Sequence, residues 1–302
     1  MKIFFDNVNF NSSSGPNSFA TRLSSELSKR EHEVFNQVST DSIPDVQLSF
    51  IMSQKKIAPM VQRLDGIYFN TDQDFKSLNK PILETYENCE SVVFQTDFNK
   101  KLSEHYFGNH WNSHVIRNGT DTEMIESIAP VQNDLLDSFE SVWTCASSWR
   151  PHKRLSENIR YFLETAPDTH CLVVLGSNPD FTIRHPRVLY GGQVGWEDLI
   201  SIYKRSEYFI HLSWLDHCPN VVVDARASGC KIVCSSSGGT KEIAGPSATL
   251  VIEDDWDFSP VKLYSPPKMD FSKIATNDID IDISIVRAAD QYVDVFQGVL
   301  VE

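Results

Sequence analysis

Twice along this chain a series of short β-rich runs alternates with amphipathic stretches, and a polar, acidic segment separates the two series. Parallel neighbours cannot be joined by a tight hairpin and need a crossover, so this order points to parallel sheets covered by helices. In the first series, 3–5, 46–52, 61–69, 91–95 and 114–117 read as strands. Residues 18–29, 81–88 and 97–106 read as helices, the last opening on an Asp cap. The segment 119–141 reads as a linker, after which the pattern restarts with strands at 142–146, 171–175, 188–190, 208–212, 231–234 and 249–252. Helices at 155–165, 196–205 and 220–228 and a short one from Thr240 accompany them. The stretch 256–282 reads as loop, and 283–299 as a closing helix. The fold class is α/β, with a domain at 1–128, a second at 129–282, and a closing helix within 283–302.

The length of 302 residues suits two such cores. Against 27 Lys and Arg stand 41 Asp and Glu, and the formal charge of −14 repels phosphate backbones and anionic lipid surfaces. Nucleic acid is therefore not an expected partner, although a local basic patch can hold a small anion. MKIFFDNVNF reaches Asp6 too early for a signal peptide, and no run approaches about 18 apolar residues. A cytoplasmic location and no membrane segment are expected. The six Cys contain no C-x-x-C and the nine His no H-x-H or H-E-x-x-H, so reduced core thiols and no metal site are expected.

Ligands of parallel α/β sheets bind beyond the carboxyl ends of the strands, which draws attention to three loops. NFNSSSGPNS (9–18) and SSSGGT (235–240) are rich in Gly and Ser and feed helices; WLDHCPN (214–220) leads into a helix with Pro219 near its start. Each is a plain turn or an anion site made by free N–H groups at a helix start. G-x-G-x-x-G and the P-loop pattern are both missing.

The run 208–245, YFIHLSWLDHCPNVVVDARASGCKIVCSSSGGTKEIAG, resembles the donor-site signature of GT-B glycosyltransferases, family 4 or group 1. The pattern there is a strand, a Ser, an acid with Gly-Phe-Pro-Asn, a second acid eight positions on, and Ser-Gly-Gly before Glu-Ile. SSWRPHKRL (147–155) resembles the basic loop that holds the donor pyrophosphate, and LYGGQVGWEDL, with Val194, the base-binding segment. SSSGPNSFATRLSSEL, with Gly15, resembles the first-domain glycine loop and helix, and VIRNGTD the stretch before the linker. Both family glutamates are aspartates here, Asp216 and Asp224, and His217-Cys218 replaces Gly-Phe. The usual arginine of the basic loop falls on Ser148, which leaves Arg150 or Arg154 to supply that charge, and the usual first-domain His aligns with Asp65.

The resemblance implies GT-B architecture: two Rossmann-like, doubly wound domains facing across a cleft, with the closing helix, 283–302, packing back onto the first. It implies transfer of a sugar from a nucleoside diphosphate sugar to a sugar or glycoconjugate acceptor, retaining and metal-independent, with no cofactor beyond that co-substrate. Lys153 and Arg150 would stabilise the leaving diphosphate, and Asp216 would sit beside the sugar. Asp65 is placed with these catalytic residues, and Asp224, Asn220, Val194, Arg154, Gly15, Gly238 and Gly239 with the donor. Alternatives stay open at this level. Asp216 is alternatively a helix cap, Asp224 a solvated helix residue, and Arg150, Lys153 and Arg154 an exposed basic turn. Arg63 and Asp65 make either a structural ion pair around Gly66 or part of an acceptor site, and Trp149, Trp196 and Trp214 are core or carbohydrate platforms. A catalytically silent binding homologue and a nucleotide-sugar epimerase are the rival functions.

Overall fold

The computed structural model describes residues 1–12, 14–39 and 43–301, which form two compact units, each around one sheet. Ser13, in the first glycine loop, lies outside the described residues. The first unit comprises Met1–Asp121, Phe258–Val261 and the chain from Asp282 onward. It runs β1 (Lys2–Asp6), α1 (Gly15–Lys29), β2 (Glu33–Phe35), β3 (Val46–Phe50), β4 (Met60–Leu64), α2 (Phe75–Asn88), β5 (Ser91–Phe94), α3 (Asp97–Phe107) and β6 (Ser113–Val115). Its six strands, all parallel, stand in the order β2-β1-β3-β4-β5-β6. β3, β4 and β5 are buried along their whole length, and the polar Gln47, Ser49, Gln62 and Arg63 are buried there with the apolar residues.

The second unit comprises Thr122–Asp257 and Lys262–Ile281. It opens with α4 (Thr122–Ser127) and α5 (Asp134–Asp137), followed by β7 (Ser141–Ser148), α6 (Leu155–Thr165), β8 (His170–Ser177), β9 (Val188–Gly192) and α7 (Trp196–Arg205). β10 (Tyr208–His211), α8 (Asn220–Ala227), β11 (Lys231–Ser235), β12 (Thr249–Val251) and β13 (Ile274–Thr276) complete it. The sheet order is β13-β12-β11-β10-β7-β8-β9, parallel except for β13. The chain leaves β7 toward β8 and β9 and returns on the other side with β10, so the order reverses between β7 and β10. Helix α9 (Ile285–Val301) belongs to the first unit.

Several boundaries differ from the sequence reading for identifiable reasons. The stretch 119–141 carries two short helices, and Ser201 Oγ and Lys204 Nζ on α7 donate to the carbonyls of Ala129 and Glu126 (2.8 and 2.9 Å). α2 starts at Phe75, capped by Asp74, six residues before the expected start, with Pro81 inside the helix. β4 ends at Leu64, not 69, because the next residue, Asp65, is captured by Arg63. The stretch 256–282 is not all loop: Val261 pairs with Asn70 in the first unit, and β13 pairs with β12. Among the described residues no helix is long and apolar enough to cross a membrane. All six cysteines are free and buried.

α9 completes the first core. Ala288, Ala289, Tyr292, Val295, Phe296 and Val299 recur at helical spacing and pack with Ile3, Phe5, Phe19, Leu23 and Leu27. Its entry is fixed by paired backbone bonds between Thr120 and 283–285 (2.9 and 2.8 Å). A Cβ on Gly119 would lie 2.4 Å from the Ser284 carbonyl oxygen, so only glycine admits this approach. Phe296→Ala should cost roughly 3–5 kcal/mol in a denaturant titration, whereas Leu300→Ala on the exposed face should stay within about 0.5 kcal/mol. Equal costs at the two positions would refute this packing.

Candidate functional site

The reversal between β7 and β10 makes the loops after these two strands neighbours. After β7, Trp149 enters the core and donates its indole N–H to the Leu175 carbonyl (2.9 Å). A 3₁₀ turn, Pro151–Lys153, comes next, and Arg154 takes a left-handed conformation (φ 55°) before α6. The Arg154 guanidinium is buried, bonded to both carboxylate oxygens of Glu253 (2.9 and 2.7 Å) and to the Pro267 carbonyl (2.8 Å). Its charge is thus engaged inside the unit. Arg150 is exposed and has no ion-pair partner among the described residues, which leaves it the accessible arginine of the turn. Lys153 reaches across to the β10 loop.

There Asp216 collects three donors. Its Oδ2 accepts from Lys153 Nζ (2.5 Å) and His211 Nε2 (2.9 Å), and its Oδ1 from the His217 backbone N–H (3.0 Å). The loop is held from below by the glycine turn after β11. Gly239 N–H donates to the Asp216 carbonyl (2.8 Å), and a Cβ on Gly238 (φ 75°) would lie 2.5 Å from that same oxygen. The open backbone of Gly238 and Gly239 therefore supports the Asp216 loop directly.

Burial alone would raise the Asp216 carboxyl, but the Lys153 charge and the His211 hydrogen bond outweigh it and hold the group well below the usual carboxylate range. Burial pushes His211 down, against the pull of Asp216. It takes His152 to about 3, with Lys153 adding to the effect, and His217 to about 4. The result is an ionised acid, a lysine and three neutral imidazoles around one turn.

Asp224 is buried on α8 at 2% exposure, which overturns the solvated-helix alternative, and its Oδ2 accepts the Trp196 indole N–H (3.1 Å). Asn220 opens α8, and half-buried Val194 precedes Gly195, the N-cap of α7. Trp214 is half-buried, its ring 6.0 Å from the Arg154 guanidinium. Lys153, Asp216, Gly238 and Gly239 thus come together; Asp224 pairs instead with Trp196. In the first unit Gly15 is the exposed first residue of α1. Asp65 follows β4, and its Oδ1 accepts from Arg63 and from Gln95. Arg63 is itself buried, 4.2 Å above the Phe19 ring, and also donates to Asn118 Oδ1 (2.9 Å). Burial raises the Asp65 carboxyl, opposed by Arg63. The sequence reading missed His211 and Glu253. The one available signal was a polar residue closing the otherwise apolar runs YFIH and LVIE.

These buried neutral histidines make stability pH-dependent. In the unfolded chain each takes a proton near pH 6.5, while the folded site resists it, so their contribution is full above about 6.5 and declines as pH falls toward the folded values. The slope is about 1.4 kcal/mol per pH unit for each such group. The melting temperature should therefore drop between pH 7 and pH 5, and His152→Gln should shrink the drop. An unchanged slope in that variant would contradict the burial of a neutral His152.

Residues 144–259 match the family model described as glycosyl transferases group 1. No curated protein matches the chain. Among solved structures, sucrose-phosphate synthase from Thermosynechococcus elongatus aligns with a TM-score of 0.72 at 12% identity, over 99% of each chain. HepE from Anabaena in complex with UDP and glucose aligns at 0.66 and 14% identity, over 99% of this chain and 100% of that one. AviGT4, a glycosyltransferase involved in avilamycin A biosynthesis, aligns at 0.63 and 15% identity, over 100% and 98%. The protein has the GT-B fold, with two Rossmann-like units, and its residues 144–259 are similar to the glycosyl transferases group 1.

Proposed function

We propose that the protein transfers a sugar from a nucleoside diphosphate sugar to an acceptor hydroxyl, with retention and without a metal ion. The observation that carries this reading is the Lys153–Asp216 pair at the reversal point of the second sheet. A leaving diphosphate concentrates negative charge, which Lys153 and the exposed Arg150 neutralise as the glycosidic bond breaks. Asp216, kept ionised, accepts hydroxyl hydrogen bonds of the sugar and favours positive charge at the anomeric carbon. The donor's own phosphate takes the acceptor proton in this scheme, so no protein base is needed.

Asp224 serves the ribose hydroxyls, oriented by the Trp196 N–H on one of its oxygens. Val194 and Asn220 flank the nucleotide, and Gly238 and Gly239 support the Asp216 loop beside it. Arg154 contributes through Glu253, by fixing the turn that carries Lys153. Asp65 has a buried Oδ2 with no hydrogen-bond partner in the first unit, which a sugar hydroxyl would satisfy. UDP is the first nucleotide to try, because HepE is recorded with UDP, with UDP and glucose, and with UDP-glucose. The cytoplasm is the proposed location.

UDP at 100 times its dissociation constant should stabilise the protein by about 2.7 kcal/mol, with and without a chelator. A shift that requires magnesium or manganese would refute the metal-free site. Asp216→Asn should lower UDP release from UDP-glucose by roughly 100-fold while UDP affinity changes little, since UDP lacks the sugar. UDP binding with no turnover of UDP-glucose, UDP-galactose or UDP-N-acetylglucosamine in the wild type would favour the silent-homologue alternative.

A further inference from the structure

Asp216 carries two side-chain donors on one oxygen, and they are not equivalent. Lys153 carries its charge on a long four-carbon stem, and in the sugar-transfer reading, on which the role of His211 rests, a bound diphosphate draws that charge away. His211 is held by packing. It is the last residue of β10, its side chain is 5% exposed, and its ring stacks on Phe209 (centroids 6.3 Å, interplanar angle 12°). Its Nε2 lies 2.9 Å from Asp216 Oδ2, while the His217 backbone N–H holds Oδ1 at 3.0 Å.

We propose that His211 is the positioning residue of the donor site: it holds the Asp216 carboxylate in place when Lys153 turns to the donor diphosphate. One N–H on each oxygen fixes both the position and the plane of the carboxylate, so the acid meets the sugar pre-aligned. Aspartate is one methylene shorter than the glutamate of the group 1 pattern, and a donor from the strand end anchors that shorter arm. Charge matters as much as geometry. Burial keeps the imidazole neutral, so Nε2–H orients Asp216 without cancelling the negative charge that the developing cation needs. An imidazolium or a lysine alone would position the acid and neutralise it together.

Two variants and one resonance test this. In His211→Leu the rate of UDP release from saturating UDP-glucose should fall about 10- to 100-fold, the range of a hydrogen bond to a charged group, with UDP affinity and melting temperature near wild type. His211→Gln, whose amide nitrogen replaces Nε2–H, should recover most of the rate. An unchanged rate in the Leu variant, or equal losses in Leu and Gln at unchanged melting temperature, would overturn the role. In wild-type protein the ring nitrogen shifts of His211 should report the neutral Nε2–H tautomer, both free and with saturating UDP. An Nδ1–H tautomer overturns the proposal even if the Leu variant does not fold. Wild-type protein that releases no UDP from UDP-glucose refutes the sugar-transfer reading instead, and the tautomer measurement, which needs no turnover, still decides the His211 bond.

Discussion

The ion pair between Lys153 and Asp216 sets the terms for everything around it. Both side chains are largely shielded from water, at 19% and 13% exposure, so the carboxylate stays charged only if its partners are well placed. The sheet supplies the placement. By reversing its strand order between β7 and β10 it brings together two loops whose key residues lie 63 positions apart. Each loop is then pinned from behind: the β7 loop through Arg154 and Glu253, the β10 loop through Gly238 and Gly239. The buried Arg154–Glu253 pair acts on the shape of its turn, and the partly exposed Lys153–Asp216 pair is left for chemistry.

The first unit repeats the device at the end of β4. Arg63 is buried against Phe19 and Phe50, and that placement is tolerable because Asp65 and Asn118 both accept from it, with Gln95 donating to Asp65 in turn. The ion-pair alternative from the sequence therefore holds, and the acceptor role of Asp65 rests on the carboxylate oxygen the network leaves unmatched.

How much was legible depends on which forces are local. Apolar runs such as VVF in β5, CLVVL in β8 and IVC in β11 announce buried strands, so both sheets could be found, whereas the edge strands β2 and β13 are too short and exposed to carry a pattern. Pro81 hid the first turns of α2, because a proline inside a helix looks like a start. The helices of 119–141 are held by bonds to α7, which no local periodicity reveals. At the site, Lys153 and Asp216 were legible through the family pattern. The choice between Arg150 and Arg154 was not, since it turns on Glu253, 99 positions from Arg154. His211 was invisible for a similar reason: a histidine closing a strand acquires meaning only from what it faces.

The central claim is that Lys153 is shared between Asp216 and the phosphates of the donor. A crystal structure of the protein with UDP tests it most directly. The expected result is the Lys153 ammonium on the diphosphate, with Asp216 still bonded to His211 Nε2 and the His217 N–H. Lys153 remaining on Asp216, with the diphosphate held by other residues, would contradict it.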